Sequence, residues 1–318
     1  MNSNIAIIIP AYKSKYLSKT LDSLVAQTDQ TFIVYIGDDC SPNNLYEIVE
    51  PYTNKLNIVY KRFTENFGTK DLVAHWARCL SMLNEEDWFI LFSDDDKMEY
   101  NCIENLQNVL NKVEHDVLHF NIKIIDVHDN VIRVPHLYPK TLSSLEFYNL
   151  LYRFQIDARM PEFVFRVSHF NKLGGFVPFA LAMRTDNATV IQNAYEKKIY
   201  TIENSYIYWR ESGENVSAFS MNKMDNELKL QASVDFFNWI GIFCSEREEK
   251  EPFKVILKIE RLLKEGMLMF RYIGLKKIVA IFKTSQDISN NMHLVPVAII
   301  NIIWKKIFLI FKSQINTE

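Results

Sequence analysis

Three consecutive aspartates, Asp94-Asp95-Asp96, follow the apolar run Trp88–Phe92 after a single serine. An unbroken apolar run of this length is typical of a strand buried on both faces, as in a parallel α/β sheet. Adjacent carboxylates repel one another unless a cation or hydrogen-bond donors offset their charge. Ligands of open α/β sheets bind outside the carboxyl ends of strands, so the pattern indicates a site for Mg²⁺ or Mn²⁺. Taken alone, a solvated acidic turn that caps the next helix explains the triplet equally well.

Strand and helix patterns alternate in the first third of the chain. Apolar runs at Ile5–Ile9, Phe32–Ile36 and Ile58–Tyr60 predict strands, whereas residues 16–27 and 72–83 carry apolar residues at helical spacing. This order predicts an α/β fold with a Rossmann-like, mostly parallel sheet flanked by helices.

The pattern changes to long helices from about residue 223. Before that point, further helices are predicted around residues 101–111, 142–154 and 186–197, and further strands at 117–125 and 163–165. We therefore expect two domains, an α/β domain over residues 1–220 and a helical C-terminal region over residues 221–318.

Composition excludes several classes of protein. The chain has 318 residues, 48% of them hydrophobic, which is ample for a packed core. Its four cysteines are scattered and form no Cys-x-x-Cys pair that would indicate a zinc site. The run Ile5–Ile9 is too short for a signal peptide and is broken by Pro10, so we expect a cytoplasmic protein. We expect no nucleic-acid partner.

Positive charge is concentrated at the C-terminus. Residues 253–318 carry eleven lysines and arginines against four acidic residues, although the whole chain has a net charge of −3. The segment 294–311 is almost continuously apolar, but Lys305 and Lys306 suit it to the membrane interface better than to a span. We therefore predict that residues 290–312 contact a membrane surface, peripherally on the inner face of the plasma membrane. The alternatives are a helix buried in the protein or a homo-oligomer contact.

Chemically useful side chains follow three of the predicted strands. If the sheet is parallel, these segments meet at one edge. Tyr12 can stack on a nucleotide base, Asp38 or Asp39 can accept from a base N–H or a ribose hydroxyl, and Asp94 and Asp96 can hold a cation that bridges phosphates. Each residue alone is a weak signal, and the ordered set predicts a nucleotide site. The segments are Pro10-Ala11-Tyr12, Asp38-Asp39 and Asp94-Asp95-Asp96.

The order of these motifs resembles that of family-two glycosyltransferases with the GT-A fold. The resemblance covers roughly residues 5–215, about two thirds of the chain. The matching segments are Ile7–Tyr12, Ile36–Ser41, Glu65–Gly68, Phe92–Asp96 and Gly174–Phe176 followed by Thr185-Asp186.

The resemblance implies a metal-dependent, inverting transfer of a sugar from a nucleoside diphosphate sugar, with a UDP-sugar the expected donor. The implied acceptor is a saccharide or lipid-linked saccharide of a bacterial surface polysaccharide. The implied roles are base contact for Asp39 with Asp38 as second choice, ribose contact for Asp95, Mn²⁺ or Mg²⁺ binding for Asp96 with Asp94 undecided, and general base for Asp186.

Several residues depart from the family pattern or lie outside it. Ser93 stands where the family often has an acid, and Thr185 replaces the usual acidic neighbour of the base. Lys70 is a candidate phosphate contact, although a plain surface lysine explains it equally well. The candidate acceptor-side contacts are Glu162, Trp209 as a sugar platform and Arg210 as a diphosphate clamp; a surface acid and core packing are the alternatives for Glu162 and Trp209.

Two other classes of function compete with sugar transfer. A sugar-phosphate nucleotidyltransferase normally has a glycine-rich phosphate loop after its first strand, and Pro10–Lys19 contains no glycine. A non-catalytic, membrane-associated saccharide-binding protein has no need to keep Asp39, Asp96 and Asp186 together.

Overall fold

The computed structural model describes residues 4–110, 112–213 and 222–304. The chain divides into two compact units, residues up to 178 together with 185–218, and residues 179–184 together with 219 onward. Among the described residues, the strands of the first unit form one ten-stranded sheet.

The half of the sheet that bears the motifs is parallel. Its strands are β1 (Ile5–Ala11), β2 (Phe32–Asp38), β3 (Ile58–Arg62) and β4 (Trp88–Leu91). They lie in the order β3-β2-β1-β4, and each neighbouring pair is parallel. The central strands are buried along their length, which explains why β1 and β4 are apolar without alternation.

The other half of the sheet is mixed. The strand Phe163–Arg166 lies antiparallel to β4 and separates it from the remaining strands. The strand Ile199–Arg210 runs parallel to its neighbour Val117–Ile125. The predicted α/β class is confirmed, and the parallel arrangement holds from β3 to β4. The strands of this half are β5 (Lys97–Met98), β6 (Val117–Ile125), β7 (Val131–Arg133), β8 (Thr141–Leu142), β9 (Phe163–Arg166) and β10 (Ile199–Arg210).

Five described helices of the first unit begin within two residues of the predicted starts, whereas the helices Leu45–Val49 and Val167–Lys172 were not predicted. Ser143 caps its helix in a reciprocal capping box with Glu146, and the Asp71 side chain accepts from the Ala74 N–H. The helices are α1 (Leu17–Val25), α2 (Leu45–Val49), α3 (Leu72–Leu80), α4 (Cys102–Leu110), α5 (Ser144–Tyr152), α6 (Val167–Lys172) and α7 (Thr185–Ala194).

The second unit contains the predicted helical C-terminal extension, which is confirmed. Gly274, with a φ of 72°, breaks one of its helices into two straight parts. Within the described ranges, no helix combines the length and apolar character that a membrane span requires. Lys305, Lys306 and the rest of 305–318 lie outside the described residues. The helices are α8 (Lys223–Ser245), α9 (Val255–Phe282), α10 (Gln286–Asn290) and residues 295–304.

Candidate functional site

The carboxyl ends of β1, β2 and β4 lie side by side at one edge of the sheet. Ala11 is paired with Asp38 in the parallel register. The alignment continues past the strand ends, because the Asp39 N–H donates to the Ala11 carbonyl at 2.9 Å and the Phe92 N–H donates to the Ile8 carbonyl at 2.7 Å. The structure therefore brings together the three segments that the sequence predicted to meet.

Asp94 holds the turn that follows β1. Its Oδ2 accepts hydrogen bonds from the backbone N–H groups of Tyr12 at 2.9 Å and Lys13 at 2.7 Å. Burial raises the pKa of the Asp94 carboxyl, and the Lys13 charge offsets part of that rise. At the end of β1 Pro10 is half-buried and Ala11 is buried, and Tyr12 in the turn is 40% exposed.

Lys13 brings a positive charge to the triplet. Its Nζ lies 2.5 Å from Asp95 Oδ2 and 3.6 Å from Asp94 Oδ1. The Ser212 hydroxyl donates to the same Asp95 oxygen at 3.4 Å. Burial lowers the pKa of Lys13, but the charges of Asp94 and Asp95 outweigh burial and the net shift is upward. Sequence reasoning missed Lys13; the available signal was a cation directly after Pro10-Ala11-Tyr12, on a strand end predicted to lie beside the triplet.

Asp96 is the member of the triplet with an open oxygen. The residue is wholly buried, and its Oδ1 accepts from the Arg210 backbone N–H at 2.8 Å. Its Oδ2 meets no hydrogen-bond donor among the described residues. Burial, followed by the charge of Asp95, raises the pKa of Asp96 to about 8. A buried, unsatisfied carboxylate oxygen is rare in native proteins, and a hard cation would satisfy it.

A cation at Asp96 would take most of its ligands from a substrate. Within the described part of the chain, no group of three or more His, Cys, Asp or Glu side chains is arranged to hold a metal ion. Mg²⁺ at nucleotide sites usually binds one or two carboxylates and completes its shell with phosphate oxygens and water. Asp96 Oδ2 fits that mode of binding, in which the diphosphate supplies ligands.

Arg210 lies beneath the triplet, with no exposed surface. Its Nε donates to the Asp95 carbonyl and its Nη1 to the Asp126 carbonyl, at 2.8 and 2.9 Å. The same Nη1 lies 2.5 Å from Asp129 Oδ1. In this position the fully buried Arg210 side chain braces the backbone of the triplet, and its predicted role as a diphosphate clamp stays a prediction.

Both carboxylate oxygens of Asp38 accept hydrogen bonds from groups of the same unit. Its Oδ1 accepts from the Ser41 N–H at 2.8 Å, and its Oδ2 accepts from the Tyr60 hydroxyl at 2.6 Å and from Arg62 at 3.0 Å. The carboxylate is fully buried. These contacts join the ends of β2 and β3, and the role of Asp38 as second choice for the base contact stays a prediction.

Asp39 fastens the loop that precedes α3. Its Oδ1 accepts from the Phe67 N–H at 2.8 Å and from Arg78, and its Oδ2 accepts from the Gly68 N–H at 2.7 Å. A Cβ at residue 68 would lie 2.6 Å from Asp39 Oδ2, so the close approach requires glycine. Lys70 is exposed in the same loop, where its N–H donates to the Phe67 carbonyl.

Asp186 lies in the first turn of α7, directly after a run of strained backbone. Leu181, Ala182 and Arg184 have positive φ values of 54°, 54° and 70°. Each such residue is disfavoured by about 1–3 kcal/mol, and this kind of strain is concentrated at functional sites. The Asp186 Oδ1 accepts from the Asn187 N–H at 2.8 Å.

Glu162 is a buried acid beside the end of β4. Because β9 runs antiparallel to β4 with Val164 opposite Ile90, the residue before β9 lies next to the carboxyl end of β4. Glu162 is completely buried, neither carboxyl oxygen has a hydrogen-bond partner among the described residues, and its Oε1 lies 3.4 Å from His119 Nε2. Burial raises the pKa of Glu162 and lowers the pKa of His119 to about 3, so both favour their neutral forms.

Trp209 is half-buried on β10, one residue before Arg210. The guanidinium of Arg159 stacks over its ring at 4.2 Å from the centroid. Part of the ring is therefore covered by a cation, and a sugar platform would have to use the remaining face or displace Arg159.

Sequence comparison relates the chain to glycosyltransferases. The family model described as Glycosyl transferase family 2 matches residues 6–179, more than half of the chain. Poly(ribitol-phosphate) beta-N-acetylglucosaminyltransferase TarS of Staphylococcus aureus is 31% identical over 122 residues, 37% of this chain and 21% of TarS. An uncharacterised glycosyltransferase of Mycoplasma pneumoniae is 28% identical over 120 residues, 37% of this chain and 40% of that protein. The match spans less than half the length of each relative.

Solved structures share the fold. TarS 1–349 of S. aureus in complex with UDP-GlcNAc superposes with a TM-score of 0.59 at 20% identity, over 85% of this chain and 73% of that one. TarS 1–349 alone gives a TM-score of 0.57 at 18% identity, over 92% and 90%. GalNAc-T7 with UDP, GalNAc and Mn²⁺ gives 0.50 at 11% identity, over 73% and 47%. At these identities the likeness concerns the fold, and the predicted GT-A fold is confirmed.

Proposed function

Because the chain belongs to glycosyltransferase family 2, we propose that it is a metal-dependent, inverting enzyme that transfers a sugar from a UDP-sugar to a saccharide acceptor. The observation that carries the proposal is the open oxygen of Asp96, buried where β1, β2 and β4 end. This is where a nucleoside diphosphate would bring a divalent cation. The fold shared with a TarS complex of UDP-GlcNAc supports a UDP-sugar as donor.

The donor side of the proposal uses the strand-end segments. Bound Mn²⁺ or Mg²⁺ would stabilise negative charge on the leaving diphosphate. Asp96 would be the carboxylate ligand, and Asp94 would keep the turn after β1 in place. The exposed ring of Tyr12 would stack on the base, and Asp95 would accept from the ribose. Asp39 keeps its proposed base contact through Oδ2, which accepts from the Gly68 N–H and can accept a second hydrogen bond.

The acceptor side needs a base for the attacking hydroxyl. We assign this step to Asp186, because a positioned carboxylate that takes the proton accelerates such a transfer by about 10²–10⁴-fold. Glu162, held neutral by burial, would donate a hydrogen bond to a sugar hydroxyl, and Trp209 would contact the acceptor. Arg210 is assigned to bracing the triplet.

Donor turnover tests this function. The full chain should release UDP from a UDP-sugar in the presence of Mn²⁺ and lose that activity in EDTA. Asp186→Asn should lower kcat about 10²–10⁴-fold while the Kd for UDP stays within a factor of two or three. Glu196→Gln, an exposed acid just past the other end of α7, is the matched control. Metal-independent release would refute the metal role, and lost UDP binding in Asp186→Asn would refute its role as base.

The exposed face of residues 295–304 supports a further proposal, that this face binds a peripheral partner. Ala298 and Ile302 are buried, and the Asn301 amide donates to Glu260 at 2.8 Å, so the helix is docked on its own unit. Its other face is apolar and exposed. The exposed side chains are Val297, Ile299, Ile300, Ile303 and Trp304.

An anionic membrane surface fits this face, because residues 253–318 carry eleven basic residues against four acidic ones and this net positive charge would be attracted to acidic lipid. A lipid-linked saccharide acceptor, as in bacterial surface polysaccharide synthesis, would suit an enzyme held there. The full chain should sediment with vesicles rich in phosphatidylglycerol and not with phosphatidylcholine alone, and a double Ile303→Ser and Trp304→Ser variant should remain in solution. Equal binding by both proteins would refute the contact, and a change of oligomeric state in the variant would assign the face to a homo-oligomer.

A further inference from the structure

Lys13 is the solvent-facing member of the charged cluster at the end of β1. Its side chain is 27% exposed, whereas those of its two partners, Asp94 and Asp95, are each 5% exposed. A ligand that enters from solvent would therefore meet the ammonium before it meets Asp95. The cluster is preorganised around a cation that the chain itself supplies.

The backbone of the turn restricts where this ammonium can go. The N–H groups of Tyr12 and Lys13 are both fixed on Asp94 Oδ2, and the Ser41 hydroxyl donates to the Tyr12 carbonyl at 2.7 Å. With its main chain held, Lys13 can reach the triplet and the space directly above it. An ammonium is a point charge with three rotatable donors, so it can leave a carboxylate for a phosphate oxygen over a short distance.

The charge of Lys13 opposes the arrival of a metal ion alone. Asp95 is neutralised by Lys13, so the triplet offers Asp96 Oδ2 as its open carboxylate oxygen. Two cations a few ångströms apart repel each other strongly in a buried site. A diphosphate adds negative charge that offsets both cations at once.

We infer that Lys13 is a donor-binding residue that pairs with Asp95 in the donor-free protein, disfavours metal binding there, and transfers its ammonium to the diphosphate when the donor and its metal bind together. This inference rests on the proposed function. It predicts that metal and nucleotide bind cooperatively and that Lys13 is the source of part of that cooperativity.

The test compares Lys13→Met with Lys15→Met in the full chain. Lys15 is an exposed neighbour whose ammonium lies over the Tyr16 ring, so its removal is matched in charge and in position along the chain. Mn²⁺ binding without nucleotide is followed by electron paramagnetic resonance, and UDP binding with Mn²⁺ by isothermal titration calorimetry. Neither readout depends on catalytic turnover.

Lys13→Met should bind Mn²⁺ alone about 10-fold more tightly than the wild type, and UDP with Mn²⁺ about 10- to 100-fold more weakly, the range for loss of a charge-assisted hydrogen bond. Lys15→Met should match the wild type in both. Lys13→Arg, which keeps the charge, should recover part of the UDP affinity. If Lys13→Met does not fold, Lys13→Arg and Lys13→Gln replace it as the test. Lys13→Arg should then weaken UDP binding less than Lys13→Gln does.

Wild-type affinities for both ligands in Lys13→Met would overturn the inference while leaving the proposed function standing. A wild-type protein that binds no UDP in the presence of Mn²⁺ would overturn the proposed function, and the inference with it.

Discussion

Two clusters of adjacent aspartates end β2 and β4, the strands on either side of β1, yet their oxygens differ in the hydrogen bonds that they accept. At Asp38-Asp39, both oxygens of each carboxylate accept hydrogen bonds from the protein. At the triplet, Asp96 keeps a buried oxygen that meets no donor among the described residues. The first cluster is a latch that joins loops, and the second is the proposed cation site.

The difference lies in donors that come from elsewhere in the sequence. The latch is completed by Tyr60 and Arg62 of β3, and by the loop that contains Phe67 and Gly68. The triplet receives Lys13, the Ser93 and Ser212 side chains and the backbone N–H groups of Tyr12, Lys13 and Arg210, and Asp96 Oδ2 meets no donor among the described residues. Adjacent acids at a strand end therefore indicate where a site lies, and the count of their donors decides what the site does.

Asp96→Asn should show the largest effect. It removes the open ligand, so kcat/KM for donor turnover should fall about 10³-fold or more, as expected when several kcal/mol of metal stabilisation are lost. The free energy of unfolding should not fall, because asparagine keeps an oxygen for the Arg210 N–H and replaces a carboxyl group whose pKa is raised by burial. Asp87→Asn, an exposed acid before the start of β4, is the control. Unchanged turnover in Asp96→Asn would contradict the proposed difference between the two aspartate clusters.

Asp39→Asn should show the reverse pattern in stability. It removes the charge that faces Arg78 and turns an amide toward backbone N–H groups, so the free energy of unfolding should fall by about 3 kcal/mol, as when one partner of a buried pair is lost. Urea denaturation of Asp39→Asn and Asp96→Asn side by side measures the contrast. Equal stability of the two variants would mean that the latch and the cation site do not differ as described.

Gly68→Ala tests whether Asp39 holds the loop that precedes α3. The added Cβ would lie 2.6 Å from Asp39 Oδ2, so the loop must shift, and we expect a loss of about 2 kcal/mol in the free energy of unfolding, typical of overpacking. Gly241→Ala, whose Cβ would meet its neighbour at an ordinary 3.8 Å, should be tolerated. A Gly68→Ala protein as stable as the wild type would show that Asp39 does not hold this loop.

Glu162→Gln gives the smallest expected effect, and one that depends on pH. Burial raises the pKa of Glu162 above its usual 4.5, so the stability contributed by the protonated form is complete below pH 4.5 and is lost as the pH rises through the raised pKa. The glutamine side chain of the variant does not ionise in this pH range. Its Tm relative to the wild type should therefore increase from pH 4 to pH 8, and a constant difference across that range would contradict the burial of an unpaired acid.

The sequence predicted the parts of the fold that carry long, uniform patterns. The apolar runs of β1, β2 and β4 and their parallel order predicted that Tyr12, Asp39 and the triplet would meet. The strands β5, β7 and β8 were not predicted, because two or three residues are too few to show a period of two.

The partners of the acids were beyond sequence reasoning. Lys13 is separated from Asp95 by three α-helices and three strands, and Arg210 reaches the triplet from β10, the last described strand along the chain. Such contacts depend on register and on side-chain direction at the strand ends, for which a single sequence has no local signal. The burial of Glu162 has the same origin, since it follows from the antiparallel entry of β9 beside β4.

The proposal that Asp96 binds the metal ion is tested by the affinity for Mn²⁺ with and without UDP. Electron paramagnetic resonance measures this affinity on the wild type, Asp96→Asn and Asp38→Asn. The open oxygen of Asp96 predicts that the wild type binds Mn²⁺ tightly when UDP is present, that Asp96→Asn loses at least about 10-fold of that affinity, and that folded Asp38→Asn keeps it. An Asp96→Asn protein that binds Mn²⁺ with UDP as tightly as the wild type would contradict the account.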